Sequence, residues 1–271
     1  MLKQRIITAL VMLPIALAGF FYLQGGAFAL FIGAVVVVAA WEWARLAGFS
    51  SPLGRLLYAV AVAALITLVY QVPALASVLL SVAVLWWALA TVLVMTYPRS
   101  SAVWSRQAVK ALIGALILLP AWQGLVLLKQ WPQGNALIMA VMVLVWGADI
   151  GAYFAGKAFG RRKLAPAVSP GKSWEGLIGG LLASLLIALA AGVQQQWGAD
   201  GLLLALFGAV VVVLMSVVGD LTESMFKRQA GIKDSSALLP GHGGFLDRID
   251  SLTAAVPVFA ALLWLSGWSA Q

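Results

Sequence analysis

Asp220, Glu223, Ser224 and Lys227 stand at i, i+3, i+4 and i+7, the spacing that puts side chains on one face of a helix. Asp220 follows directly on the apolar run VVVLMSVVG, which sets its carboxylate at or below lipid-headgroup level, where it needs a cationic partner. A solvated helix end is the plainer reading of the same residues. Asp247 and Asp250 are again three apart, at the entry to a further apolar run. Acids at a helix start offset the positive end of its dipole, but capping needs only one of them. With Asp220 they make an oxygen cage suited to a hard cation; Mg²⁺ is held by a few carboxylates plus substrate phosphates. If these carboxylates repel one another until a cation binds, neutralising Asp247 leaves the metal-free protein no less stable.

The glycines of the intervening Gly241-His242-Gly243-Gly244 let backbone N–H groups approach an anion closely. Lys227, Arg228, Lys233 and Arg248 stand among the acids, a mixture that suits a polyphosphate held between metal and cations. His242 reads equally as a general base or as a hydrogen-bond partner for phosphate or backbone. Upstream, SPGKSWEG (169–176) contains Gly171-Lys172-Ser173, reminiscent of a phosphate loop, but Pro166 takes the place of that motif's first glycine and no strand is expected before it. Lys172 remains a candidate phosphate contact with Ser173 beside it, and Glu175 falls in the first turn of the next helix. Asp149 and Tyr153 share a face on the preceding span, where a buried polar pair is an equal alternative.

Positioning these groups falls to membrane helices. The chain is 63% hydrophobic, against about 45–50% in an ordinary globular protein. A helix crosses the bilayer with about 20 apolar residues. Nine stretches qualify or nearly do: 6–23, 27–44, 56–70 (short), 74–96, 108–128, 135–155, 174–193, 201–223 and 251–268. They are solidly apolar rather than alternating, which excludes a barrel and leaves an all-α polytopic fold. The first stretch mimics a signal peptide, but its apolar run continues through Tyr22, so it is expected to stay as a span.

With the N-terminus inside, sixteen of the seventeen basic residues fall in cytoplasmic segments and only Lys129 outside, and the C-terminus is then external. The net charge of +8 thus reports topology, or attraction of anionic lipid or nucleotide, and not nucleic-acid binding. Trp41, Trp43, Trp104 and Trp174 are expected in an inner aromatic belt, and Trp131, Trp197 and Trp268 in an outer one. The absence of cysteine excludes thiolate catalysis and disulfides, and a single histidine argues against a His-rich zinc site. The long inner loops, 156–173 and 224–250, are bordered by most of the acids, while Glu42 and Asp200 stand apart. Residues 1–271 therefore read as one membrane domain, with scaffold and lipid-facing helices over 1–130 and a catalytic half over 131–271.

Residues 224–250, SMFKRQAGIKDSSALLPGHGGFLDRID, resemble the signature of the phosphatidate cytidylyltransferase (CDP-diacylglycerol synthase) family. That pattern is S-x-hydrophobic-K-R-x4-K-D, then P-x-H-G-G-x2-D-R-x-D, and the 27 residues show no departure from it. SPGKSWEG and WGADIGAYFAGKAFGRRK (146–163) look like the family's upstream blocks. The resemblance implies a metal-dependent transfer of the cytidylyl group of CTP to phosphatidate at the cytoplasmic face of a bacterial inner membrane. By it Asp220, Asp247 and Asp250 hold Mg²⁺, with a second cation as an option, and act in catalysis with Lys227, Arg228 and His242. Substrate contacts fall to Asp149, Tyr153, Lys172, Ser173, Glu175, Glu223, Lys233, Asp234, Gly243, Gly244 and Arg248. Membrane lipids are partners and a homodimer is left open. The alternatives are a CTP-dependent lipid kinase and, remotely, a transporter, which favours charges near the bilayer midplane.

Overall fold

The computed structural model describes residues 2–266. In chain order the elements are α1 (Leu2–Phe21), α2 (Gly25–Ala47), α3 (Pro52–Gln71), α4 (Leu75–Met95), α5 (Ser101–Trp104), α6 (Gln107–Gln130) and α7 (Gly134–Phe159). A hairpin of β1 (Lys163–Ala165) and β2 (Ser169–Ser173) follows, then α8 (Trp174–Gln194), α9 (Ala199–Gln229) and α10 (Leu246–Leu265). Every stretch expected to span is helical over most of its described residues. Among the described residues eight helices, α2 to α4 and α6 to α10, are long and apolar enough to cross a membrane, while α1 contributes a shorter apolar part, Leu10–Phe21. The fold is that of an all-α, multi-pass membrane protein.

The third span is longer than its hydropathy suggests. Pro52 opens α3 and the Ser51 hydroxyl accepts from Gly54 N–H at 3.0 Å, so capping starts the helix before its apolar run. Conversely, α9 continues to Gln229, so Asp220, Glu223 and Lys227 lie within a helix rather than at its end. That shortens the second long loop to 230–245. Polar contacts pair the helix ends as alternating crossings require. At one end Trp43 Nε1 donates to Lys110 O at 2.8 Å, and at the other Lys129 Nζ donates to Phe20 O at 2.5 Å.

Two local expectations are corrected. β2 is a strand running through Gly171-Lys172-Ser173, paired antiparallel with β1 at Lys163↔Ser173 and Ala165↔Ser169. A phosphate loop stays excluded, because those residues are strand and not loop. Trp43 and Trp104 are 1% exposed, not interfacial, and pack on Phe226 with ring centroids 4.8 and 4.5 Å away. Trp174 and Trp197 do face outward, and Trp268 lies outside the described residues, as does the C-terminus. In the half expected to supply scaffold and lipid-facing helices, α6 is 67% buried over its apolar window, whereas α8 and α9 are 28% buried.

α7 and α8 approach closely through small residues: a Cβ on Gly151 would lie 2.6 Å from Gly179 O, and one on Gly180 would lie 2.8 Å from Ala148 O. Such contact takes the place of a hydrophobic driving force between helices in lipid. It sets the two faces from which the site is built.

Candidate active site

α7, β2, α8 and α9 enclose a cavity of about 390 Å³. Its polar end is formed by Asp149, Tyr153 and Lys157 of α7, Lys172 and Ser173 of β2, and Asp220 of α9. Ala148, Ala152, Leu177, Gly180, Val213 and Val217 line the rest, a surface of small and branched apolar groups. Lys172 Nζ lies 2.6 Å from Asp220 Oδ2, and both side chains keep about 30% exposure (27% and 30%). Ser224 Oγ donates to Asp220 Oδ1 at 3.2 Å, one helical turn on. Asp149 is within electrostatic reach of Lys172 and Asp220. Ser173 turns its hydroxyl to the N–H of Gly176 at 3.1 Å and so caps α8.

A second cluster lies behind this one. Lys227 Nζ sits 2.8 Å from Asp247 Oδ1 and 3.2 Å from Glu223 Oε1, tying α9 to α10. Asp247 also accepts from Gly244 N–H at 2.7 Å, Ser235 N–H at 3.0 Å and Ser235 Oγ at 2.9 Å, and its side chain is only 5% exposed. The glycine amide expected to greet an external anion thus greets a carboxylate of the chain itself. Asp250 accepts from Ser251 N–H at 2.7 Å and feels Asp220, Lys227 and Lys172. The two clusters form one string of charge, five carboxylates (Asp149, Asp220, Glu223, Asp247 and Asp250) against three ammonium groups (Lys157, Lys172 and Lys227).

That surplus of hard oxygen fits a divalent cation, but not in the expected three-acid cage. Among the described residues no three Asp, Glu or His side chains converge at metal-binding range. Both oxygens of Asp247 are already engaged by donors. Asp220 also has a donor on each oxygen, Lys172 and Ser224, but its carboxylate is partly solvated and open to exchange, and Asp250 accepts from Ser251 N–H at one oxygen, so these two are the less enclosed pair.

Other sequence-predicted residues lie elsewhere. Lys233, Asp234 and Arg248 are exposed and do not line the cavity. Arg228 Nε donates to Val168 O at 3.0 Å, locking the hairpin to the end of α9. Glu175 accepts from Arg161 N–H at 3.1 Å and Arg162 N–H at 3.2 Å, so it holds the turn after α7. His242 sits in a turn, its N–H donating to Leu239 O at 2.8 Å and its buried Nδ1 without a hydrogen-bond partner. Gly243 has φ +80°, and its carbonyl accepts from Leu239 N–H at 2.8 Å.

Two residues escaped sequence reasoning. Lys157 supplies a second cation to the cavity. Glu42 does not stand apart: it is fully buried and accepts from Ser235, Ser236, Phe245 and Leu246. Its sequence signal was a carboxylate inside an apolar run, VVVVAAWEWAR, where charge is costly and rarely idle.

Residues 3–266 match the model of the cytidylyltransferase family. A phosphatidate cytidylyltransferase of Pseudomonas aeruginosa is 69% identical over 270 residues, spanning 100% of both chains. One from Haemophilus influenzae is 43% identical over 283 residues, covering 96% of this chain and 98% of its own. A third, from Brucella suis, is 47% identical over 140 residues, 50% of this chain and 48% of its own.

Proposed function

Since the chain belongs to the cytidylyltransferase family, we propose that it transfers the cytidylyl group of CTP to phosphatidate, releasing pyrophosphate and leaving CDP-diacylglycerol in the membrane. One observation of the site supports this reading most: a single cavity joins a polar end bearing Lys157, Lys172 and Asp220 to an apolar floor inside the helix bundle. A phosphate carried on acyl chains and a water-soluble triphosphate meet only at such a boundary. The basic residues, sixteen of seventeen on one side, support a cytoplasmic site in a bacterial inner membrane.

In the reaction a phosphate oxygen of phosphatidate forms a bond to the α-phosphorus of CTP. The bond from that phosphorus to the oxygen bridging the β-phosphate breaks, and its electron pair leaves with pyrophosphate. The nucleophile is already ionised at neutral pH, so no strong general base is needed, and His242 lies outside the cavity lining. The obstacle is bringing anions together, which positioned cations relieve. Lys172 is suited to this: its partly solvated pair with Asp220 is weak enough to exchange for a phosphate oxygen. Lys227, held between Glu223 and Asp247, instead keeps α9 and α10 in register. Asp220 and Asp250 would hold a divalent cation such as Mg²⁺, which when bound neutralises phosphate charge and orients the triphosphate.

The test uses purified protein, phosphatidate, Mg²⁺ and CTP labelled at its α-phosphate. Label should enter the lipid phase with an equal amount of pyrophosphate in the aqueous phase. Release of CDP with an unlabelled lipid product would identify a lipid kinase instead.

A further inference from the structure

We infer that Glu42, on α2 in the N-terminal half, is a positioning residue of the active site: it fastens loop 230–245 and thereby holds Asp247 and Lys227 in register. The inference rests on the cytidylyltransferase reading and concerns a part of the chain remote in sequence from the signature residues.

Glu42 is 0% exposed, and each of its oxygens is occupied. Oε1 accepts from Ser236 Oγ at 2.5 Å and Phe245 N–H at 3.0 Å; Oε2 accepts from Leu246 N–H at 2.7 Å, with Ser235 Oγ 3.3 Å away. Phe245 is the capping residue of α10 and Leu246 its first residue, and the N–H groups at this end have no partner within the helix. The local sequence offers no side-chain cap there, because the capping position is a phenylalanine. A carboxylate from another helix takes that role, and the positive end of the helix dipole favours its charge.

Glu42 and Asp247 share Ser235. Its single hydroxyl proton lies 2.9 Å from Asp247 and 3.3 Å from Glu42 by oxygen separation, so it bridges the two carboxylates and favours the nearer. Asp247 then takes Gly244 N–H, and Lys227 takes Asp247. The part of the loop from 235 onward is thus pinned on both sides of its tip by the same two carboxylates, at Ser235–Ser236 and at Gly244–Leu246. α2 adds a second tie, Arg45 Nη1 to Ser235 O at 3.3 Å, and α1 holds the tip through Thr8 Oγ1 to Pro240 O at 3.0 Å. Gly244 belongs to this arrangement: a Cβ there would collide with Ser235 Oγ and Glu42 Oε1. The loop has its shape because an acid from the opposite half of the chain fills its base.

Glu42→Gln keeps the volume but, in either orientation of the amide, turns its N–H₂ toward one backbone N–H, of Phe245 or Leu246, which can only donate. Hydrogen exchange of the peptide covering 237–246 should then run at least about tenfold faster, reporting local opening. Turnover at saturating CTP, per folded molecule, should fall by about 100-fold with little change in KM, as a small misplacement of reacting groups entails. A purely structural role would lower thermal stability and turnover together without that split. Unchanged exchange in the loop, or normal turnover with a loosened loop, overturns the inference. If Glu42→Gln does not fold, Ser235→Ala decides: it removes the shared hydroxyl and leaves Glu42 its two backbone donors. Turnover lowered by about tenfold is then expected, and normal turnover overturns the inference. A wild-type protein without cytidylyl transfer would fail the functional reading alone, because the exchange measurement judges the loop independently.

Discussion

Asp247→Asn separates two ways in which an acid can matter. Were Asp220, Asp247 and Asp250 a mutually repelling cage, removing one charge would leave the metal-free protein as stable or more so. The geometry argues the reverse. Asp247 receives Lys227 at 2.8 Å, Gly244 N–H at 2.7 Å, and the N–H and hydroxyl of Ser235 at 3.0 and 2.9 Å, with 5% of its side chain exposed. Asn retains one accepting oxygen and presents donors to the remaining groups. Hydrogen bonds to a charged group contribute about 1.5–3 kcal/mol each, and breaking a buried pair costs about 3–5 kcal/mol. Lys227 keeps Glu223 at 3.2 Å, which places the loss near the lower bound, about 3 kcal/mol. For a chain of this size that corresponds to a fall in Tm of about 6–12 °C. Asp220→Asn is the control. Its pair with Lys172 is partly solvated, so its stability cost is under about 1 kcal/mol, although turnover should be lost in both variants. Thermal unfolding in detergent with chelator present, followed by tryptophan fluorescence, measures both proteins. An Asp247→Asn protein as stable as wild type would refute this reasoning and restore the three-acid cage.

Lys172→Gln should lower kcat/KM by about 100-fold with Tm nearly unchanged, and a kinetically normal variant would remove the cavity from the mechanism. Ala152→Leu narrows the apolar floor, so the apparent KM for phosphatidate should rise while that for CTP stays constant; an equal rise in both would count against a lipid-binding floor. Reporter fusions after residues 165 and 235 should both read cytoplasmic and a fusion after 271 external, with an external signal at either of the first two sites overturning the orientation.

The crossings were legible in one dimension because lipid demands that each segment satisfy its own backbone, so hydropathy alone marks a span. The faces of those spans were not. Lipid is as apolar as a protein core, so no polar stripe tells an inward from an outward side. Hence Trp43 and Trp104 read as interfacial yet are buried, and nothing in hydropathy told that α6 is far more enclosed than α8 or α9. Within the candidate site, spacing along one helix correctly grouped Asp220 with Ser224 and Glu223 with Lys227, since helical geometry acts over three or four residues. Asp247 and Asp250 were given one role from the same kind of spacing, and the tertiary structure divides them: one is enclosed by donors and the other lies beside Asp220. The bond from Leu246 to Glu42 crosses 204 positions of the chain, and only the packing of α2 against α10 creates it. Sequence by itself determined how many apolar segments there are and which polar groups share a turn. Packing decided which of those groups meet, because a buried carboxylate takes its donors from whichever helix stands beside it.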